Sequence, residues 1–313
     1  MTVTREALLP TGAQHEIAYS DQRAVVTEVG ATLRSYEAAG VAVVDGFSAD
    51  ESSAAGRGQV LAPWPNRLED GTYSYGGVDV GAALDEPERA NAIHGLVRWR
   101  PWTLDVQTDA AVALRCMLHP LPGYPWLLEI GVRYELDANG LTVEADATNH
   151  STETAPFGIG FHPYVTVGTE RIDDAHLTVP AGEQLVADDR GLPTGTHAVI
   201  GAPEDFMAAR PIGGTQLDTA YAGLVRDPDG RAVAVLEHPD GARAVRVWAD
   251  PAFRYLMVYT GDTLEPAERR RAGIAIEPMT CPPNAFRTGV DLIELEPGAT
   301  WRGSWGISPE GSA

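Results

Sequence analysis

Apolar positions recur along this chain mostly at a period of two, in short runs broken by Gly, Pro and Asp. Residues 24–47 hold three such runs, Ala-Val-Val-Thr-Glu-Val-Gly, Ala-Thr-Leu-Arg-Ser-Tyr-Glu and Val-Ala-Val-Val-Asp-Gly-Phe, with glycine-containing turns between them. That pattern predicts a meander and not a βαβ unit. Strands are predicted again over 111–119, 128–137 and 141–150, where Val132, Tyr134 and Leu136 alternate with Arg133 and Glu135. Asn139-Gly140 stands between the last two, and this pair favours the positive φ angles of a tight hairpin turn. The pattern returns at 233–237, 244–249 and 255–259, and then at 273–277, where Ile274 and Ile276 alternate with Ala275 and Glu277. Segments 292–295 and 300–307 suggest a closing hairpin around Pro297-Gly298. Residues 180–216, rich in Gly, Pro and Asp, suggest loops with one helical turn near 203–209. No long amphipathic helix and no fixed repeat interrupts the series, so the expected fold is an all-β, mostly antiparallel sandwich whose two large sheets bury their inner faces together.

Composition narrows this further. A chain of 313 residues would suggest two domains by length, but β-sandwiches reach this size as single units, and one domain over 1–313 is expected. Lys plus Arg number 23 against 44 for Asp plus Glu, a net charge of -21, which argues against a surface that tracks nucleic-acid phosphates. Cys116 and Cys281 are the only cysteines and neither has zinc-ligand spacing, so a reduced, cytoplasmic setting is expected. Residues 1–20 lack a basic region followed by an apolar core, and no run of about 18 apolar residues suggests a membrane span.

The signatures of common catalytic classes are missing. There is no GxGxxG between strand and helix, no GxxxxGK[ST], no GxSxG and no HExxH. What remains is a dispersed set of chemically capable residues. Asn66 and Arg67 follow Pro63 and Pro65 on a stiff loop; His94 precedes Gly95; His162 precedes Pro163; Asp218 stands among apolar residues; Glu277 ends an apolar strand. A carboxylate among such neighbours loses hydration and tends to rise in pKa, which suits a general base near neutral pH. The bland alternatives are a Glu facing water, an Asp capping a short helix and structural histidines. As a set, Arg67, His94, His162, Asp218 and Glu277 offer the donors and acceptors that a polyhydroxylated ligand needs. Two His and two carboxylates are also possible metal ligands, although their wide separations give no ligand spacing.

Taken in order, Pro65-Asn-Arg67 with Asp70-Gly-Thr-Tyr, His94-Gly95, Gly160-Phe-His-Pro-Tyr164, Leu217-Asp218, and Glu277-Pro with Pro283-Asn-Ala-Phe resemble the aldose 1-epimerase (galactose mutarotase) family along nearly the whole chain. The resemblance implies a single-domain β-supersandwich that interconverts α and β anomers of a free aldose without a cofactor or a metal. It makes Glu277 the base at the C1 hydroxyl and His162 the acid at the ring oxygen. Arg67, His94 and Asp218 fall at sugar-binding positions, with Asn66 beside them orienting the loop. His162 would then be protonated while Glu277 is ionised, each charge supporting the other. The implied partner is a small sugar, with the protein a monomer or homodimer. Ala-Pro-Trp-Pro-Asn-Arg and His-Gly-Leu-Val-Arg-Trp are similar to a bacterial subgroup that includes proteins associated with sulfoquinovose, a sulfonated glucose. Arg98, Arg100 and residues 269–271 are cations that such an anion could engage; for 269–271 the alternative is a solvated arginine run. A non-catalytic sugar-binding protein on the same scaffold and a glycoside hydrolase using Asp218 beside Glu277 are the competing functions.

Overall fold

Among the described residues every pair of strands is antiparallel, as the short alternating segments and tight turns require, with one isolated parallel bridge between Ala62 and Gly95. The computed structural model describes residues 8–311, so the part of the N-terminal reading that rests on residues 1–7 lies outside the described residues. The meander is present as Gln14–Tyr19, Gln22–Thr27, Leu33–Ala38 and Val41–Ala42, paired in chain order. Its first strand lies before the three expected runs, and only Ile17 in it is fully buried, so its hydrophobic signal is faint.

A nine-stranded sheet follows the spatial order Thr103–Gln107, Ala111–Leu118, Leu128–Asp137, Gly140–Asn149, Thr300–Gly311, Arg243–Ala249, Ala232–Glu237, His176–Thr178 and Arg210–Pro211. The Asn139-Gly140 turn closes its hairpin with Asp137 opposite Gly140. Val132, Tyr134, Leu136, Leu141, Val143 and Ala145 are all buried, as their alternation demands. The closing hairpin does not form. Ile293–Leu295 pairs with Ala155–Phe157, while Thr300–Gly311 slots between Gly140–Asn149 and Arg243–Ala249. Pro297-Gly298 does make a turn, but the strands on its two sides leave for different sheets.

The third large layer is an eight-stranded sheet. Its path runs Pro193–Ala198, Ala181–Ala187, Asp218–Leu224, Tyr255–Tyr259, Ile274–Met279, Gly160–Phe161 and Val60–Leu61, with Tyr164–Val165 also paired to Ile274–Met279. Two of these strands occupy the region expected to be loops, and 203–209 holds no helix, only one hydrogen-bonded turn in which Asp205 N–H donates to the Ala202 carbonyl at 3.0 Å. Pro193–Ala198 is an edge strand with mostly exposed side chains, so no apolar alternation marks it. The two large sheets share one core: Phe161 of one meets Trp305 of the other with ring centroids 5.1 Å apart. Ile274, Ile276, Leu256 and Val258 point into that core. By the period of two, Ala275, Glu277, Met257 and Tyr259 must then occupy the opposite face.

Candidate functional site

Glu277 stands on that opposite face beside Met257, which is its register partner, and Met257 is in turn paired with Ala220. One step along the same face, Ala275, Tyr259 and Asp218 form the next row. Asp218 therefore starts a strand and does not cap a helix, correcting the bland reading of that residue. Hydrogen bonding along the ladder occupies its backbone, leaving its carboxylate, 42% exposed, at the surface of the sheet.

His162 enters from the loop joining Gly160–Phe161 to Tyr164–Val165. Its N–H donates to the Gln59 carbonyl at 3.1 Å, and its own carbonyl accepts from Gly58 N–H at 2.8 Å. The imidazole Nε2 lies 3.3 Å from Glu277 Oε1. One neighbour of the ring is Tyr164, stacked at 5.0 Å and 20°; another is His94, edge-on at 5.4 Å. Gly56 completes the cage: a Cβ added there would stand 2.4 Å from His162 Cδ2. Any larger residue would displace the ring.

Asn66 and His94 both adopt positive φ, 56° and 64°. The strain is held by hydrogen bonds, since Asn66 Oδ1 accepts from Arg67 N–H at 2.9 Å and the Asn66 carbonyl accepts from His94 N–H at 2.9 Å. Gly95, which follows His94, would drive a Cβ to 2.1 Å from the Ala62 carbonyl oxygen. Asn66 thus ties the proline-framed loop to the His94 loop. Arg67 extends from it and grips Glu86 with Nε 3.0 Å from Oε2 and Nη2 3.1 Å from Oε1. Asp218 Oδ2 lies further off, 3.7 Å from Arg67 and 3.8 Å from Arg89.

Asn66, Arg67, His94, His162, Asp218 and Glu277 all line one cavity of about 640 Å³, a size that suits a small ligand. Its wall also holds Gly56, Asp85, Glu86, Arg89, Tyr164 and Met257, which sequence reasoning did not nominate. Asp85, Glu86 and Arg89 belong to a stretch that looks like a polar connection, and nothing local separates them from solvated surface residues. The dipeptide Ala55-Gly56 carries a signal only in hindsight, through the closeness of approach that glycine permits.

Residues 16–308 match the family described as Aldose 1-epimerase. The chain belongs to the aldose 1-epimerase family. It is 34% identical over 293 residues to the uncharacterized protein YihR of Escherichia coli K12, covering 93% of this chain and 92% of that one. Human galactose mutarotase is 24% identical over 263 residues, 77% of this chain and 75% of the relative. Among solved structures, the GalM/aldose epimerase homologue of Caenorhabditis elegans superposes with a TM-score of 0.85 at 18% identity, covering 96% of this chain and 99% of that one. A galactose 1-epimerase from Lactobacillus acidophilus gives 0.79 at 21% identity, covering 95% and 93%. These structural likenesses establish the galactose mutarotase-like fold.

In this aldose 1-epimerase family member, burial dominates the electrostatics of the cavity floor. Glu277 is 2% exposed and His162 5%. Burial, aided by Asp218 and opposed by Arg67, raises the Glu277 carboxyl well above its ordinary value. Burial also pushes the His162 imidazole down to about 3, with Arg57 and Arg98 acting in the same direction. His94 is lowered for the same first reason, with His162, Arg98 and Arg67 adding to it. Burial therefore works against both charges of the expected pair, protonated His162 and ionised Glu277. Arg67 keeps its charge: burial opposes it, but Glu86, Asp218 and Glu277 raise the guanidinium above its usual value. Glu277 Oε2, His162 Nδ1 and His94 Nδ1 are buried with no hydrogen-bond partner among the described residues, an arrangement that costs free energy until a ligand satisfies it.

The arginines weighed as anion ligands divide in two. Arg98 lines the cavity, held by Asp85. Arg100 donates to the Leu96 carbonyl. The run at 269–271 fastens a loop: Arg269 reaches Asp45, Arg270 reaches the Leu264 carbonyl, and Arg271 binds Asp262 and Asp173 with two backbone carbonyls. At 4% exposure Arg271 is no solvated side chain. Among the described residues, no group of three or more His, Cys, Asp or Glu is arranged to hold a metal ion, and no helix is long and apolar enough to cross a membrane.

Proposed function

We propose that this protein is a cofactor-independent mutarotase that interconverts the α and β anomers of an aldohexose or close derivative. The observation that carries the reading is the His162–Glu277 contact of 3.3 Å, buried at the floor of a polar cavity. Ring opening of a hemiacetal removes a proton from the C1 hydroxyl and delivers one to the ring oxygen. Two oxygens on one carbon require two proton-handling groups close together, and Glu277 and His162 are such a pair.

Burial favours a neutral pair, which contains the same number of protons as the ion pair, so moving one proton across 3.3 Å reaches the reactive form without exchange with solvent. Glu277 as carboxylate then accepts the C1 hydroxyl proton while His162 as imidazolium protonates the ring oxygen, and the C1–O5 bond breaks. The aldehyde turns about C1–C2. Reclosure runs the same transfers backwards on the other face, with the C5 hydroxyl proton passing to His162 and the Glu277 proton to the new anomeric oxygen. Arg67, His94 and Asp218 hold the hydroxyl groups, and Asn66 fixes the loop that carries Arg67.

Anomer exchange followed by polarimetry or saturation-transfer NMR tests this, with Glu277→Gln expected to lose most of the acceleration while keeping the fold. Near-normal turnover in that variant would sink the assignment. A second reading, a mutarotase for an anionic aldose such as sulfoquinovose, is favoured by Arg98, whose Nε is buried in the cavity wall without a partner among the described residues. Rates across glucose, galactose, xylose, arabinose, sugar 6-phosphates and sulfoquinovose separate the two. Sugar binding without faster exchange would instead support a binding protein.

A further inference from the structure

Arg57 lies outside the cavity wall, yet it is bound into the structure behind His162. Its Nη2 is 3.1 Å from Asp45 Oδ2, and its Nε donates to the Asp45 carbonyl at 2.9 Å. The guanidinium carbon sits 4.5 Å from the centre of the Tyr164 ring, in cation–π contact. Tyr164 in turn stacks on His162 at 5.0 Å. The cation and the imidazole are therefore within about 10 Å of each other with an aromatic ring joining them, a range over which buried charges interact with little screening. Arg57 and His162 are each 5% exposed and Tyr164 1%.

We propose that Arg57 is a positioning residue for the proton shared by His162 and Glu277, acting through the ring of Tyr164 and never touching the sugar. The inference rests on the mutarotase reading. The titratable and charged groups around the pair are His94 edge-on to His162, Tyr164 in the stack, Arg57 with Asp45 bound to it and partly offsetting its charge, Arg98, and, acting on Glu277, Asp218 and Arg67; Arg57 and Arg98 oppose a charged imidazole. Arg98 lines the cavity, where a bound sugar changes its surroundings. Arg57 does not, so its field is the same before and after binding. That constant field makes the imidazole the poorer proton holder. That field favours the proton on Glu277, from which it crosses to His162 when a hemiacetal oxygen stabilises the transfer. Tyr164 leaves its ring face free for the stack because its hydroxyl is turned to the Ala55 carbonyl, 3.2 Å away.

The test uses the full chain with Arg57→Gln and Arg57→Lys. NMR of 15N-histidine-labelled protein without sugar follows the His162 titration, and the pH profile of kcat/KM follows the pair during turnover. Arg57→Gln is expected to move the His162 titration and both limbs of the profile up by about one pH unit. Arg57→Lys, which keeps the cation, is expected to leave them in place. If Arg57→Gln does not fold, Asp45→Asn serves: it leaves the guanidinium less compensated and should move the alkaline limb down. Unmoved titration and limbs in Arg57→Gln, whatever happens to the plateau rate, would mean that Arg57 only packs, and so would an unmoved or raised limb in Asp45→Asn. A wild-type protein that does not accelerate anomer exchange overturns the mutarotase reading instead, while the histidine titration still reports the coupling.

Discussion

Gly56→Ala isolates the requirement that the His162 ring be held in one place. The added Cβ would lie 2.4 Å from Cδ2 and 2.9 Å from Nε2 of His162, where an ordinary contact is about 3.5 Å or more. The ring must therefore withdraw by about 1 Å, comparable to the slack available in its 3.3 Å approach to Glu277. Misplacing a reacting group by about 1 Å costs about 10²-fold in rate, equivalent to about 2.7 kcal/mol in the barrier. Residue 56 also has φ +74, a left-handed conformation in which alanine costs about 1–2 kcal/mol relative to glycine. The expected outcome is a fall in kcat of about 10²-fold, measured by saturation-transfer NMR at saturating sugar, and a stability loss of about 1–2 kcal/mol in denaturant titration. A folded variant whose kcat stays within about threefold of wild type, with the stability loss present, would refute the claim that ring position limits the rate.

Further expectations concern charge. Glu277→Gln should be more stable than wild type at neutral pH. The buried carboxyl has a folded-state pKa well above 4.5, so above pH 4.5 the folded state keeps a proton that the unfolded chain releases, and stability falls as pH rises through that window; a Gln variant whose Tm advantage does not grow with pH above 4.5 would contradict this. For His162 the sign is opposite: depressed from 6.5 to about 3, it costs stability progressively as pH falls between those values. Arg67→Ala should raise the half-saturating sugar concentration about tenfold or more, through loss of charged hydrogen bonds; unchanged saturation would remove Arg67 from the binding set. Arg271→Ala, which strands the largely buried Asp262 and two carbonyls, should cost about 3–5 kcal/mol; a variant of near wild-type stability in denaturant would show that these partners find water instead.

How much of this could be seen in the sequence depends on how local each cause is. The orientation of Glu277 was legible because Ile274 and Ile276 on one face and Ala275 and Glu277 on the other obey strict alternation. The Asn139-Gly140 hairpin was legible because its turn chemistry and its register lie within a few residues. The Pro297-Gly298 turn misled for the complementary reason: it shows where the chain reverses, and nothing nearby shows that Ile293–Leu295 pairs with Ala155–Phe157 more than a hundred positions away. Pro193–Ala198 escaped notice because an exposed edge strand needs no apolar residues. The candidate site was legible residue by residue through family resemblance, whereas Glu86 beneath Arg67, Gly56 against His162 and the Arg57–Tyr164 stack exist only as contacts between distant segments.

The central place of Thr300–Gly311 in the nine-stranded sheet bears on how the protein comes into being. Both strands that flank it, Gly140–Asn149 and Arg243–Ala249, are synthesised earlier. Until residue 311 has left the ribosome, each presents an unpaired hydrogen-bonding edge to other chains. The largest sheet therefore waits for a strand made well after both of its neighbours and closes by contacts of long sequence separation, which makes folding slow and the waiting edges vulnerable to aggregation. A shortage of holding chaperones during translation should reduce the yield of this protein more than that of one whose sheets close in chain order.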